Sequence, residues 1–198
     1  MSKTRLEAFT DAILAIIMTV LVLELTIPTS GSWQALIATK EEFAVYALSF
    51  YFIAIYWVNH HHLMQLVEKV NGLILWTNII MIFFISLIPF VTAWVGKNLN
   101  DFAPCMCYGI LFLLINISFG LVMHTIAKVH EEGSKFHSVY NEDRKSVIAI
   151  VLSIVVILLG FIQPVLILIG RLVVSTLWVV PSKHAERCAE DSETCEIK

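Results

Sequence analysis

The residues that could do chemistry cluster at the start of an apolar stretch near the N-terminus. Arg5-Leu-Glu-Ala-Phe9-Thr10-Asp11 places a cation, an aromatic ring, a hydroxyl and a carboxylate directly before a long apolar run. Ionisable groups at the mouth of a membrane helix are costly unless they are paired, so they indicate a functional site. The alternative is an interfacial anchor, in which Arg5 reaches the headgroups and Asp11 caps a helical turn.

A second group of polar residues ends the next apolar stretch, in Trp57-Val-Asn59-His60-His61-His62. Neighbours on a helix point about 100° apart, so three consecutive histidines cannot all bind one metal ion, and we predict no metal site. We expect His60 to bond a carboxylate or hydroxyl of the first stretch, with Trp57 packed beside it. Trp76 and Asn78 begin the third stretch at the same depth. These residues together predict a network that locks three helices.

The composition indicates the class of protein. The 198-residue chain is 58% hydrophobic and 15% charged, with a mean hydropathy of +0.81, whereas soluble domains have about 25% charged residues. We therefore expect an integral membrane protein. A net charge of -3 with scattered basic residues predicts no nucleic-acid partner. The four cysteines have no zinc spacing. No catalytic motif is present, so we predict no enzyme and no cofactor.

The apolar stretches predict an all-α, polytopic membrane protein with six transmembrane helices, each near the ~20 residues that cross a bilayer. The last two form a short hairpin broken at Gly160, Gln163 and Pro164. We expect a transmembrane domain over residues 1–181 and a disordered polar tail over 182–198. The predicted segments are Ala8–Ile27, Phe43–Leu63, Leu73–Val95, Phe102–Ala127, Ser146–Ile162 and Val165–Val180.

The basic residues predict the orientation. Ten fall in segments on the side of the N-terminus, whereas only Lys40 and Lys97 fall on the other side. The positive-inside rule then places both termini in the cytoplasm of a plasma-membrane protein. The thirteenth, Arg171, lies within the sixth segment. It faces a partner or water inside the protein, or the segment boundary is misplaced. The ten are Lys3, Arg5, Lys69, Lys128, Lys135, Arg144, Lys145, Lys183, Arg187 and Lys198.

One face of the first segment carries a regular stripe. At about 100° per residue, its members fall within about 60° of Leu23: Ala12, Ile16, Thr19, Val20 and Leu23. In a monomer the stripe would be ordinary core packing. Around an axis shared by several copies, it would form stacked apolar rings, and such a constriction gates a pore by dewetting. Asp11 lies about 120° off the stripe and should face a neighbouring helix.

These motifs resemble the transmembrane protein 175 family of potassium channels in its short bacterial form. The first helix of that family begins R-x-x-x-F-S-D, which Arg5, Phe9, Thr10 and Asp11 match with threonine in place of serine. The second-helix pattern W-x-x-H matches Trp57 and His60. The third stretch, from Leu75-Trp76-Thr-Asn78 to Pro89-Phe90, and Trp178-Val-Val-Pro181 at the end of the sixth are also similar to the family.

The resemblance implies a homotetramer in the lipid bilayer whose first helix lines a pore for potassium and other monovalent cations. It places the apolar constriction on Ile16, Val20 and Leu23 and the selectivity threonine on Thr19. It implies no carbonyl selectivity filter, so we expect moderate selectivity for potassium over sodium. Glu24 would concentrate cations at the outer mouth. A proton-conducting channel and a non-conducting helical module remain alternatives, whereas the absence of an internal repeat disfavours a transporter.

Overall fold

The computed structural model describes residues 2–130, 136 and 145–179, and these residues are helical with short connections. The predicted tail, the end of the sixth segment at Val180 and most of the linker before Lys145 lie outside the described residues. Within them the helices are, in chain order, α1 (Lys3–Leu23), α2 (Trp33–Ala38), α3 (Lys40–Leu66), α4 (Gly72–Ser86), α5 (Ile88–Lys97), α6 (Phe102–Val129), α7 (Lys145–Leu159) and α8 (Leu166–Val179).

Four stretches of the described chain are long and apolar enough to cross a membrane: α1, α3, α4 continued by α5, and α6. The helices α7 and α8 are also apolar but have only 15 and 14 residues. At 1.5 Å per residue each is roughly 22 Å long, less than the ~30 Å of a typical hydrocarbon core. The predicted hairpin is present, because α7 ends at Leu159 and α8 begins at Leu166. The predicted all-α membrane fold is therefore confirmed.

Two predicted boundaries differ from the structure. Helix α1 begins at Lys3 and ends at Leu23, several residues earlier than the predicted Ala8–Ile27, because its polar first turns are helical and bond to α3. The third predicted segment is interrupted at Leu87, between α4 and α5. Pro89 occupies the first turn of α5, and a proline can neither donate to the preceding turn nor fit against its carbonyl.

Helix α6 forms the centre of the bundle and packs against α4, α5, α7 and α8, while α1 packs against α3, α4 and α5. Large buried rings fill the middle, among them Phe52 on α3 and Phe112 on α6, whose centres are 4.8 Å apart. Buried hydroxyls join three helices, since Thr92 donates to Ser49 at 2.7 Å and Ser49 bonds Tyr108 at 2.9 Å. The buried apolar side chains form one core that extends across the bundle.

A close approach of backbone fixes α8 against α7. A Cβ added to Gly170 would lie 2.5 Å from a methyl carbon of Val156. Small residues allow helices in a membrane to approach closely, where packing replaces the hydrophobic driving force. Glycine at this position is therefore a requirement of the α7–α8 contact.

Arg171 lies inside this bundle. The sequence left open whether it faces a partner inside the protein or whether the boundary of the sixth segment is misplaced, and the structure favours a partner inside the protein. It is on α8, within the predicted sixth segment, and its side chain is 3% exposed. Its Nη1 donates to the Ser153 hydroxyl on α7 at 2.8 Å. The outer surface of α7 and α8 is by contrast apolar, with Val151, Leu158 and Val173 exposed, as expected for helices in contact with lipid.

Candidate pore surface and the contacts that position it

Helix α1 has two distinct faces. The buried face packs against the bundle and consists of Leu6, Thr10, Leu14, Ile17 and Leu21. Spacings of four, four, three and four keep these side chains on one side of a helix. That side lies about 140° around the helix from Leu23, so the predicted stripe points away from the bundle.

The structure exposes the whole predicted stripe. Ile16 is 60% exposed, Val20 is 37% exposed and Leu23 is 79% exposed, and Ala12 and Thr19 are also exposed. Core packing within one chain therefore does not explain the stripe. The Thr19 hydroxyl donates to the Ile16 carbonyl at 2.7 Å, so its proton is engaged within the helix and its oxygen can still accept a hydrogen bond.

A ladder of polar contacts joins the first turns of α1 to the last turns of α3. The helices run antiparallel, and each contact lies four residues from the next on both helices, which is about one turn. The contacts are Lys3 Nζ to the Gln65 carbonyl at 3.1 Å, His61 Nδ1 to Glu7 Oε1 at 3.0 Å, and Trp57 Nε1 to Asp11 Oδ1 at 3.0 Å.

The predicted partner of Asp11 is thus corrected in detail. Trp57 binds Asp11 directly through its indole N–H, whereas His60 makes its hydrogen bond elsewhere. The Glu7–His61 step was not predicted. The sequence could have indicated this contact, because Glu7 lies four residues from Asp11 and His61 lies four residues from Trp57, the partner of Asp11.

A second, fully buried set of contacts joins α1, α4 and α3. His60 Nε2 donates to Asn78 Oδ1 at 2.9 Å, and Asn78 Nδ2 donates to Thr10 Oγ1 at 2.9 Å. The Thr10 hydroxyl donates in turn to the Leu6 carbonyl at 3.0 Å. All three side chains are at most 1% exposed. His60 therefore reaches the predicted hydroxyl of the first helix through Asn78 and not directly.

The structure does not bring every predicted member into this network. Arg5 is exposed and makes no side-chain hydrogen bond or ion pair with the described part of its own chain. The rings of Phe9 and Trp76 are also largely exposed. Within the described part of this chain, the polar contacts that hold α1 against other helices therefore come from Thr10 and from the ladder.

Glu24 lies at the opposite end of α1, where it caps the helix and is exposed. It lines an open cleft of about 580 Å³ between α1 and α5, together with Lys97 and Trp94. The cation of Lys97 faces the same cleft, so it opposes the field that the Glu24 carboxylate creates there.

Metal coordination is not indicated for the part of the chain that the structure describes, where no three His, Cys, Asp or Glu side chains come together. His60 and His61 separate as their spacing requires, one toward Asn78 and the other toward Glu7. The neighbouring histidines thus serve helix contacts in two directions.

Comparisons with known proteins agree with these features. The sequence profile described as the endosomal/lysosomal potassium channel TMEM175 matches residues 5–89, which include α1 from its third residue and the residues of α3 and α4 that contact it. A potassium channel of Chryseobacterium sp. is 36% identical over 192 residues, which are 97% of this chain and 100% of that protein. A potassium channel of Streptomyces collinus is 29% identical over 126 residues, 62% of this chain and 61% of that protein.

Animal relatives share only part of their length with this chain. The rat endosomal/lysosomal proton channel TMEM175 is 31% identical over 117 residues, which are 54% of this chain and 23% of that protein. Among solved structures, the crystal structure of a lysosomal potassium-selective channel TMEM175 homolog from Chamaesiphon minutus aligns with a TM-score of 0.63 at 24% identity. The alignment covers 87% of this chain and 97% of that chain, which shows the common fold. The chain therefore belongs to the TMEM175 family of ion channels, and it is a multi-pass membrane protein and not an enzyme.

Proposed function

We propose that this protein is a potassium-permeable cation channel of the leak type, in which four copies surround a pore lined by α1. The observation that carries the proposal is the exposed stripe on α1, which the chain's own bundle does not cover. A face with Ile16, Val20 and Leu23 at its centre would form stacked rings about one axis. Val20 and Leu23 lie roughly 6 and 10 Å along the helix from Ile16.

The gate would be the apolar ring of Ile16, with Val20 and Leu23 extending the constriction. A narrow apolar ring loses its water and closes a pore to ions without any blocking group. Opening would require the ring to widen until a hydrated or partly hydrated cation can enter. The Thr19 hydroxyls, between the Ile16 and Val20 levels, would supply polar oxygens to the ion.

Moderate selectivity for potassium over sodium follows from the continuity of α1. The helix is unbroken from Lys3 to Leu23, so its carbonyls between the gate residues are engaged in helical hydrogen bonds. Carbonyl rings of the kind that replace an ion's hydration shell need an unwound backbone. Discrimination would then rest on pore width and on Thr19.

The proposed membrane is the plasma membrane, with both termini in the cytoplasm. The excess of basic residues on the side of the α1 N-terminus supports this orientation. It places the ladder and the buried Thr10–Asn78–His60 contacts at the cytoplasmic half and Glu24 at the outer mouth.

The test is flux through purified protein in liposomes that carry a potassium gradient. Ile16→Asn should raise the resting potassium flux, because a polar ring stays hydrated. Val22→Asn is the matched control, since Val22 is exposed on the same helix but lies about 100° from Leu23. Unchanged flux in Ile16→Asn, or an equal rise in Val22→Asn, would remove the stripe from the pore.

Proton conduction is a second candidate, favoured by the Glu7–His61 pair and by the animal relatives, which are named as proton channels. Imidazole and carboxylate groups can pass protons between water and a pore. The same liposomes under a proton gradient without permeant metal cations distinguish it. A pH-dependent proton current that is lost in His60→Gln or His61→Gln would favour this candidate, and the absence of any ion flux would favour a non-conducting module.

A further inference from the structure

The side chain of His130 joins the end of α6 to the connection between α3 and α4. His130 directly follows the last residue of α6 and has 8% of its surface exposed. Its Nε2 accepts the backbone N–H of Glu68 at 3.0 Å and that of Lys69 at 3.4 Å. Both residues lie in the short connection 67–71. One side chain of the central helix therefore holds the connection between the two helices that bond to α1.

The partners of the His130 ring determine where its proton lies. Its Nδ1 is 2.9 Å from the Ile126 carbonyl, and a carbonyl can only accept, so Nδ1 carries the proton. The N–H groups of Glu68 and Lys69 can only donate, so Nε2 carries none. A side-chain amide could turn over to suit a new proton on the ring, but these backbone groups cannot. The contact therefore requires a neutral imidazole with its proton on Nδ1.

A second proton would end this contact. Placed on Nε2, it would point at the two amide hydrogens in place of the lone pair that accepts them. Histidine is the side chain that gains a proton between pH 8 and pH 5. The ring of Phe136, which is 2% exposed, has its centre 5.9 Å from that of His130, and this packing leaves the imidazole little contact with water while it stays in place. A protonated ring must therefore leave the two amides.

Ionisable side chains occur next to this contact on both segments. Glu68 and Lys69 on the connection and Lys128 on α6 are all exposed. Two further acids, Glu131 and Glu132, follow His130 in the sequence and lie outside the described residues. A carboxylate close to the ring would favour its protonated form. It would not restore the lone pair on Nε2, so the two amides would still lose their acceptor.

We propose that His130 is an acid-released latch: the neutral ring holds the α3–α4 connection against the end of α6, and a proton on Nε2 releases it. The release would reach α1 through Gln65, three residues before Glu68, whose carbonyl accepts the Lys3 ammonium at 3.1 Å. The latch is made by contacts within one chain. It does not depend on which ion the channel conducts or on how many copies assemble.

Hydrogen exchange of the purified protein in one detergent tests the latch, with each rate divided by that of an unprotected amide at the same pH. A closed form that excludes the proton, in equilibrium with an open form in which a histidine titrates near pH 6.5, opens about tenfold more at pH 5.5 than at pH 7.5. The protection of the Glu68 and Lys69 amides should therefore fall about tenfold, while ordinary carboxylates stay ionised. The amide of Asp101, which donates to the Asn98 carbonyl in another connection, is the internal control and should keep its protection.

Substitutions assign the effect to one ring. His130→Gln keeps a side-chain acceptor that does not titrate, so the protection of the two amides should no longer depend on pH. His124→Gln replaces an exposed histidine of the same helix and should retain the tenfold change. The double variant Glu131→Gln with Glu132→Gln should also retain it.

A measurement on the wild type keeps the proposal open to refutation if His130→Gln does not fold. Nitrogen NMR of the histidine rings should show His130 with a proton on Nδ1 and none on Nε2 at pH 7.5. The latch would be overturned by a proton on Nε2 at that pH, or by wild-type protection of the Glu68 and Lys69 amides that does not change with pH. The same fall in His130→Gln, or its loss in the His124 or the double glutamate variant, would also overturn it.

Discussion

The buried amide of Asn78 is the junction through which α4 holds both α1 and α3. Replacing it by leucine keeps the volume and removes both hydrogen bonds, to Thr10 and from His60, each 2.9 Å long. In membrane proteins such bonds contribute about 0.6 kcal/mol on average and at most about 1.7. The substitution also leaves the His60 Nε2–H buried without an acceptor, which costs about 1–3 kcal/mol. We therefore expect Asn78→Leu to lower the free energy of unfolding by about 2–4 kcal/mol.

The assay is thermal unfolding in one detergent, followed by tryptophan fluorescence and by loss of the native size-exclusion peak. For a chain of this length, 1 kcal/mol corresponds to roughly 2–4 °C, so the midpoint should fall by about 5–15 °C. Thr77→Val is the matched control. Thr77 is the neighbour of Asn78, but its hydroxyl bonds only the carbonyls of Leu73 and Ile74 in its own helix.

A double substitution tests whether the contacts act as one network. Thr10→Val removes the acceptor of the Asn78 amide and should cost less than Asn78→Leu, because His60 keeps its partner. The cost of the double variant should fall short of the sum of the two by about 0.6–1.7 kcal/mol. Strict additivity, or a midpoint for Asn78→Leu as high as that of Thr77→Val, would refute a buried lock through Asn78.

Two other predictions concern packing and charge. Gly170→Ala should lower the free energy of unfolding by about 1–3 kcal/mol, because its Cβ would overlap Val156. Gly120→Ala on α6 is the control, since nothing lies within 4 Å of the added carbon; in the same unfolding assay it should be neutral or stabilising by up to about 1 kcal/mol. If Glu24 lies at the pore mouth, Glu24→Gln should lower potassium flux at low ionic strength and Lys97→Gln should raise it, because both charges face one cleft. Both effects should fade near 1 M salt, where the screening length is about 3 Å. Flux that is insensitive to both substitutions would contradict a role for that cleft at the mouth.

The fold was largely predictable because lipid-facing helices must be apolar along their whole length. Five of the six predicted segments correspond in position to single helices, and Gly160 with Pro164 located the α7–α8 turn correctly. The break at Leu87 was missed, although Pro89 marks it in the sequence. The span from Gly72 to Lys97 has a high mean hydropathy of 2.4, so hydropathy alone does not reveal the interruption.

The sequence indicated which residues lie in the candidate site better than it indicated which of them bond to each other. Thr10 and Asn78 lie in the first halves of α1 and α4, and His60 lies near the end of α3, so all three come to the same level of the bundle, where Asn78 joins the other two. Which atom meets which depends on rotations about the helix axes, and a difference of one residue turns a side chain by about 100°. His60 and His61 therefore face different helices. The surroundings of Arg171 were beyond prediction, since Phe52, Phe112 and Ser153 come from three separate helices.

Within the described residues, helix α1 is joined to other helices by hydrogen bonds only over its first part, from Lys3 to Asp11; the part after Asp11 is called the freer stretch below. The residues of α1 that make hydrogen bonds to other helices are Lys3, Glu7, Thr10 and Asp11. The next hydrogen bond along the chain comes after α1 ends, where the Thr26 amide donates to the Glu42 carboxylate at 3.2 Å. Between Asp11 and Thr26, no hydrogen bond joins α1 to another helix in the part of the chain that the structure describes.

That freer stretch contains the whole proposed gate. It is held by the apolar side chains of Leu14, Ile17 and Leu21, and apolar contact is non-directional. A small tilt or rotation there would exchange one apolar contact for another, whereas the same movement near Asp11 would break hydrogen bonds. Widening a ring at Ile16 is therefore compatible with intact contacts among Thr10, Asn78 and His60, which explains why the polar contacts and the proposed gate would occupy successive parts of α1.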